Sequence, residues 1–319
     1  MLPRVKPAAG ILALLLPIAS WPQQQQKPDD GSATFSTDTR LVILPVTVQD
    51  KSGHLVTNLP QSAFQVYENG TLQPLKTFKR EDVPVSLGLI IDNSGSMRDK
   101  RQKVEAAALA LVKESNPDDE VFIVNFNDEA FLDQDFTNNI KDMQQGITKI
   151  DSRGGTAMRD ALRMSIDHVK EKGKKDKKVI LVVTDGNDNA SIISLENLVR
   201  AAQQSEVILY AIGLLSDEER REAKRAKRAL NALTEATGGQ VYYPKEASEV
   251  DRIARQVAHD IRNQYTLGYS PVNAALDGSY RQIKVLANNG STKLNVRTRS
   301  GYYATAEKGA AGTSKKPSD

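Results

Sequence analysis

Five oxygen-bearing side chains in three separate stretches carry the chemistry legible in this chain. In "LGLIIDNSGSM" an apolar run ends in Asp92, Ser94 and Ser96 at alternate positions. That spacing lets a carboxylate and two hydroxyls turn toward one centre while Asn93 and Gly95 face away, and Gly95 admits backbone angles that a larger residue resists. "SRGGTAMRDAL" offers the Thr156 hydroxyl ahead of a helix, and "LVVTDGNDN" offers Asp185 at the end of an apolar strand. Hydroxyls and carboxylates are hard oxygen donors, the set a hard divalent cation takes. Alone, "DNSGSM" also reads as a turn capping the next helix; three discontinuous loops offering oxygens together favour the cation.

Other chemistries fit less well. A serine hydrolase would need the G-x-S-x-G elbow or a lysine three residues after the serine, and neither is present. The three histidines, His54, His168 and His259, fall in a β turn, in a helix and on a late helix, with no evident route to Ser94. "RGGTAM" lacks the lysine of a phosphate-binding loop. "TDGNDN" lacks the twelve-residue calcium-loop pattern, so Asp188 reads as turn chemistry. Phosphoryl transfer would need a nucleophile and a second acid instead of paired serines. Catalysis is therefore not expected.

The elements that must position these residues follow from periodicity. Residues 36–82 form a leading β segment: "RLVILPVTVQDKSGHLV" reads as strand, turn and strand, and "FQVYENGTLQPLKTF" as a hairpin turning at Asn69-Gly70. Over 83–247 short apolar strands alternate with helices at about 104–113, 140–150, 195–204 and 217–235, which predicts an α/β unit with a mostly parallel sheet covered on both faces. In such a sheet ligands bind at the carboxyl ends of the strands, where Asp92 falls. Residues 248–304 supply an amphipathic exit helix, with Ile253, Val257 and Ile261 at four-residue spacing, and a trailing β segment. Neither β segment buries a core comfortably alone. They are expected to pair into one β-sandwich with the α/β unit inserted between them.

The constellation of Asp92, Ser94, Ser96, Thr156 and Asp185 resembles the metal-ion-dependent adhesion site of von Willebrand factor type A domains, across about 83–245. The flanks "LPQSAFQVYENG" and "QYTLGYSP…YRQIKV…RSGYY" further resemble a bacterial secreted subgroup, the VWFA-related proteins. The resemblance implies a Rossmann-like fold and Mg²⁺ or Mn²⁺ bound directly by Ser94, Ser96 and Thr156. Asp92 and Asp185 would act mainly through water or from outside the coordination sphere. An ion with few carboxylates on it stays under-neutralised, so a protein partner's Asp or Glu would complete its octahedron. The alternative is a structural envelope or assembly module whose binding does not depend on the ion.

Arg4 and Lys6 ahead of the apolar 8–18 stretch read as an export signal over 1–20, followed by a polar linker over 21–35. The 305–319 tail reads as disordered by composition. The formal net charge is +3, and +1 without Arg4 and Lys6, which argues against a nucleic-acid partner. With no cysteine, disulfides and thiol chemistry are excluded. The runs "KEKGKKDKK" and "RREAKRAKR" read as solvated faces.

Overall fold

The computed structural model describes residues 40–305, apart from 81, 115, 150–151, 187, 216–219 and 291. The expected export segment and linker, and all but the first residue of the expected tail, lie outside the described residues. Strands β1 (Val42–Gln49), β2 (Phe64–Glu68), β3 (Thr71–Gln73) and β4 (Leu75–Lys79) come first. The chain continues through β5 (Val85–Asp92), α1 (Arg101–Lys113), β6 (Glu120–Phe126), β7 (Ala130–Thr137), α2 (Ile140–Ile147) and α3 (Met158–Lys172). Next come β8 (Lys177–Thr184), α4 (Leu195–Gln203), β9 (Ile208–Gly213), α5 (Arg220–Thr237), β10 (Val241–Tyr242) and α6 (Val250–Arg262). The last strands are β11 (Tyr265–Tyr269), β12 (Tyr280–Asn289), β13 (Thr292–Lys293), β14 (Asn295–Arg297) and β15 (Gly301–Tyr303).

The middle of the chain is an α/β unit around a six-stranded sheet in the order β10-β9-β8-β5-β6-β7, parallel except for β7. Every residue of β5 is buried, because a strand covered on both faces has no polar side to show. Leu87, Leu89 and Ile91 pack with Val104 and Leu111 of α1, Met143 of α2 and Val257 of α6. Ile90 belongs to the opposite core, with Phe122, Val124, Leu162 of α3, Leu198 of α4 and Leu230 of α5. The alternation of strand side chains thus divides one apolar run between two helical layers.

The two β segments interleave. One sheet runs β14-β1-β11-β4, with Leu44 opposite Leu267 and Val46 opposite Tyr265; the other runs β13-β12-β2-β3, with β15 on β12 and Val66 opposite Val285. Val42, Leu44, Val46, Phe64, Val66, Leu267, Ile283 and Val285 share one core, so each segment completes the apolar face of the other. Asn69 (φ 47) and Gly70 (φ 82) make the hairpin turn anticipated between β2 and β3, since both central positions need positive φ.

Four local features differ from the sequence reading. "TLQPLKTF" reads as one strand, yet β3 and β4 lie in different sheets: Pro74 between them donates no ladder hydrogen bond, and the chain changes sheet there. After the turn at Gly53, the expected second strand reduces to a single bridge between Gln49 and Leu55. There the Tyr265 hydroxyl, accepting from Leu59 N–H and donating to the Val56 carbonyl at 2.9 Å each, takes over backbone groups a ladder would otherwise satisfy. Strand β7 was not anticipated; it returns antiparallel along β6 as the sheet edge, with Phe131 and Leu132 exposed. The helix expected to lead out of the α/β unit, α6, does so only after burying Ile253, Val257 and Ile261 in the same core as α1.

Candidate metal centre

Strand β5 places Asp92 at the carboxyl edge of the sheet, beside the end of β8. From β5 the chain crosses to β6 on one side, and from β8 to β9 on the other, so the crevice between these two strand ends is the point where the winding direction reverses. Asp92, Thr184 and Asp185 stand on its two walls. Beyond Asp92 the chain makes a short 3-10 turn (Gly95–Met97), and Met97, 1% exposed, anchors that turn in the core under α1.

The five anticipated residues come together. Ser94 and Ser96 hydroxyl oxygens are 3.2 Å apart, and the Ser96 hydroxyl donates to Asp185 Oδ1 at 2.8 Å. Asp92 accepts from the Ser94 N–H at 2.8 Å and from the Thr184 hydroxyl at 2.6 Å. The Thr156 loop closes the third side: Gly95 N–H donates to the Gly154 carbonyl at 3.2 Å and Arg153 N–H to the Asn93 carbonyl at 2.9 Å. Gly154 needs φ +75, a conformation glycine adopts freely. Across the crevice, a Cβ on Gly186 would lie 3.5 Å from Thr156 Oγ1, so the bare backbone of Gly186 keeps the space in front of that hydroxyl open. The Thr156 hydroxyl forms no hydrogen bond with any described residue, although Thr156 is only 4% exposed.

This donor set suits a hard divalent cation: three hydroxyls and two carboxylates on one crevice, with the Thr156 hydroxyl not bonded to any described residue. Among the described residues no group of three or more His, Asp or Glu side chains is placed to hold a metal. Burial pushes the Asp92 carboxyl up to about 6, against the downward pull of its hydrogen bonds from Ser94 and Thr184. Metal ligation favours the ionised form and opposes that shift.

Several supports escaped the sequence reading. Asn125 is fully buried and acts as a brace: it accepts from Asn93 Nδ2 at 2.7 Å and donates to Asp133 Oδ2 and the Gly146 carbonyl at 2.8 Å each. Asn189 Oδ1 accepts from Thr156 N–H at 2.9 Å, fixing the loop that carries the hydroxyl. Lys100 Nζ lies 2.5 Å from Asp185 Oδ2. Its only sequence signal was a lysine eight residues past Asp92, and its partner is 85 residues away. Asp188 accepts from the Ser191 N–H at 3.2 Å and hydroxyl at 2.8 Å, the turn role expected of it, and also from Arg159 N–H at 2.7 Å at the start of α3. Among the described residues no histidine bonds to Ser94 or Ser96; His54 pairs with Asp50, and His168 bonds Asp135 and stacks on Phe136.

Residues 87–187 match the sequence model of the von Willebrand factor type A domain. An uncharacterized protein of Synechocystis sp. is 25% identical over 186 residues, covering 57% of this chain and 42% of the relative. Inter-alpha-trypsin inhibitor heavy chain H4 of Bos taurus is 21% identical over 208 residues, covering 60% of this chain and 21% of the relative. The chain therefore spans less than half the length of either relative. Among solved structures, proximal thread matrix protein 1 from the mussel byssus, with a zinc-occupied MIDAS motif, superposes with a TM-score of 0.48 and 19% identity over 61% of this chain and 49% of that one. The vWF domain of the type V pili tip protein Mfa5 from Porphyromonas gingivalis superposes with a TM-score of 0.45 and 15% identity over 56% of this chain and 97% of that one.

Proposed function

The chain carries a von Willebrand factor type A domain, and from that premise we propose that it binds Mg²⁺ or Mn²⁺ between Ser94, Ser96 and Thr156 and uses the ion to capture an acidic group of a protein partner. The observation that supports this reading is the convergence of three distant loops on one crevice of oxygen donors, with the Thr156 hydroxyl unengaged among the described residues. Asp92 and Asp185 border the centre, and both are already engaged by protein donors, which suits a place outside the coordination sphere. A bound ion would supply a Lewis-acid position to which a carboxylate adds as a ligand, and the chain's own residues would orient it and exclude water from one side.

Export forms part of the proposal and rests on the basic and apolar character of residues 1–20. No helix among the described residues is long and apolar enough to cross a membrane. The β-sandwich is the stem of the proposed arrangement: β4 leads into β5, and α6 leads directly into β11, so both connections to the α/β unit run from one framework.

Calorimetric titration of MgCl₂ and MnCl₂ into the full chain, beside Ser96→Ala and Thr156→Ala, tests the reading. Saturable binding in the parent, lost or weakened at least about tenfold in both variants while their thermal midpoints stay within a few degrees, is the expected result. A parent that binds neither ion would refute it.

A further inference from the structure

Lys100 stands where local electrostatics disfavour a cation. It is the N-cap residue of α1, its side chain makes no capping hydrogen bond, and Arg101 follows it with no acidic residue in the first turn. The amino end of a helix carries a partial positive charge, so Lys100, Arg101 and Lys103 there oppose the dipole. A sequence that breaks a local rule usually has a gain elsewhere. Here the gain is Asp185: the ammonium lies 2.5 Å from Oδ2, and it also donates to the Leu214 carbonyl at 3.4 Å. The Asp185 side chain is 1% exposed and that of Lys100 is 30% exposed, so the pair is held at the mouth of the crevice with its carboxylate inside. Oδ1 accepts the Ser96 hydroxyl proton, so both oxygens of Asp185 are engaged.

We propose that Lys100 is a built-in counter-cation of the metal centre, which neutralises Asp185, holds that carboxylate off the ion, and leaves the ion's charge available to an acidic ligand. The inference rests on the metal-binding reading above. Two consequences follow from charge. Without an ion, the ammonium satisfies a carboxylate whose unpaired burial would be strongly destabilising, so the crevice forms before any metal arrives. With an ion, Asp185 and Lys100 cancel, and Asp92 is the only carboxylate of the five-residue set left to balance a 2+ charge. The ion is then held less tightly than by two free carboxylates, and an incoming carboxylate is held more tightly. A unit charge about 6 Å from a 2+ ion changes its binding by about tenfold even at the dielectric constant of water.

The test compares the parent chain with Lys100→Gln and with Lys100→Arg, which keeps the charge. MgCl₂ and MnCl₂ are titrated into each by calorimetry, and thermal midpoints are measured in EDTA and in excess MgCl₂. Lys100→Gln is expected to bind the ions at least about tenfold more tightly than the parent, to lose thermal stability in EDTA, and to regain it with MgCl₂. Lys100→Arg is expected to match the parent within about threefold. Parent-like ion affinity in a folded Lys100→Gln overturns the counter-cation and leaves the metal centre standing. Tightening in Lys100→Arg by clearly more than about threefold over the parent also overturns it, because shape and not charge would then be responsible, and this arm stands if Lys100→Gln does not fold. Absence of ion binding in parent and both variants overturns the metal centre together with the counter-cation.

Discussion

Asp92 offers the sharpest quantitative test, because one buried carboxyl couples the fold to pH and to the ion. It is 1% exposed, and its pKa is pushed up to about 6, first by burial and with a smaller upward contribution from Asp185. An unfolded chain titrates the same group near about 3.9. A carboxyl with the higher pKa in the folded state keeps its proton there longer, so its contribution to stability is complete below about pH 4 and lost as pH rises through about 6. Two pKa units at about 1.36 kcal/mol each come to about 3 kcal/mol. Asp92→Asn removes the titration while keeping the shape. Its amide oxygen can still accept from Ser94 N–H, and the Thr184 hydroxyl, which now donates to Asp92, can turn to accept from the new amide. Urea unfolding followed by circular dichroism at pH 4, 5, 6 and 7 in metal-free buffer should show the parent losing about 3 kcal/mol relative to Asp92→Asn across that interval. Saturating MgCl₂ at pH 7 should restore most of that difference in the parent and little in the variant. Parallel pH profiles for the two chains would refute the reasoning, since Asp92 would then titrate in the folded state as it does in the unfolded chain.

Four further substitutions probe the α/β unit and the sandwich. Asn125→Leu leaves the Asn93 amide, the Asp133 carboxylate and the Gly146 carbonyl without their shared partner, and should cost about 3 kcal/mol in urea unfolding while weakening Mg²⁺ binding; an unchanged midpoint would show that Asn125 is not a brace. Gly88→Ala sets a Cβ into the ring of Phe122, which is fully buried across β5 and β6, and should destabilise by about 1–3 kcal/mol through overpacking. In the sandwich, Glu68 is 3% exposed and accepts from the hydroxyls of Tyr269 at 2.7 Å and Tyr302 at 2.9 Å. Glu68→Ala strands both hydroxyls and should lower stability by about 3 kcal/mol, against about 1–2 kcal/mol for Tyr302→Phe, both read from chemical denaturation.

Much of the candidate centre is legible before any coordinate, and the reason is chemical. Asp92, Ser94 and Ser96 are local in the chain, and their alternate spacing after an apolar run is itself the signal. Thr156 and Asp185 are distant, but each sits at a strand or loop end whose type periodicity reveals, and a parallel sheet gathers such ends on one edge. The continuous apolar runs of β5 and β8 likewise declare burial on both faces, and Asn69-Gly70 declares its own turn. What periodicity does not carry is pairing. Strand β7 has partly exposed, irregular alternation, and its identity as the antiparallel edge depends on β6 being beside it. Pro74 interrupts a run that otherwise reads as one strand, and which sheet each half joins is decided by β2 on one side and β11 on the other.

Residue types and local spacing, then, determine which oxygens are available, because the chemistry of a donor belongs to its side chain and its nearest neighbours along the chain. Tertiary structure decides what those oxygens are bonded to. Asn125 becomes a brace only once β7 and α2 close over it. Lys100 reads as one more surface lysine until β8 delivers Asp185 to its ammonium. Hydrogen bonds and ion pairs act over a few ångströms of space without regard to separation along the chain, so the electrostatic setting of this centre exists only once the strands are side by side.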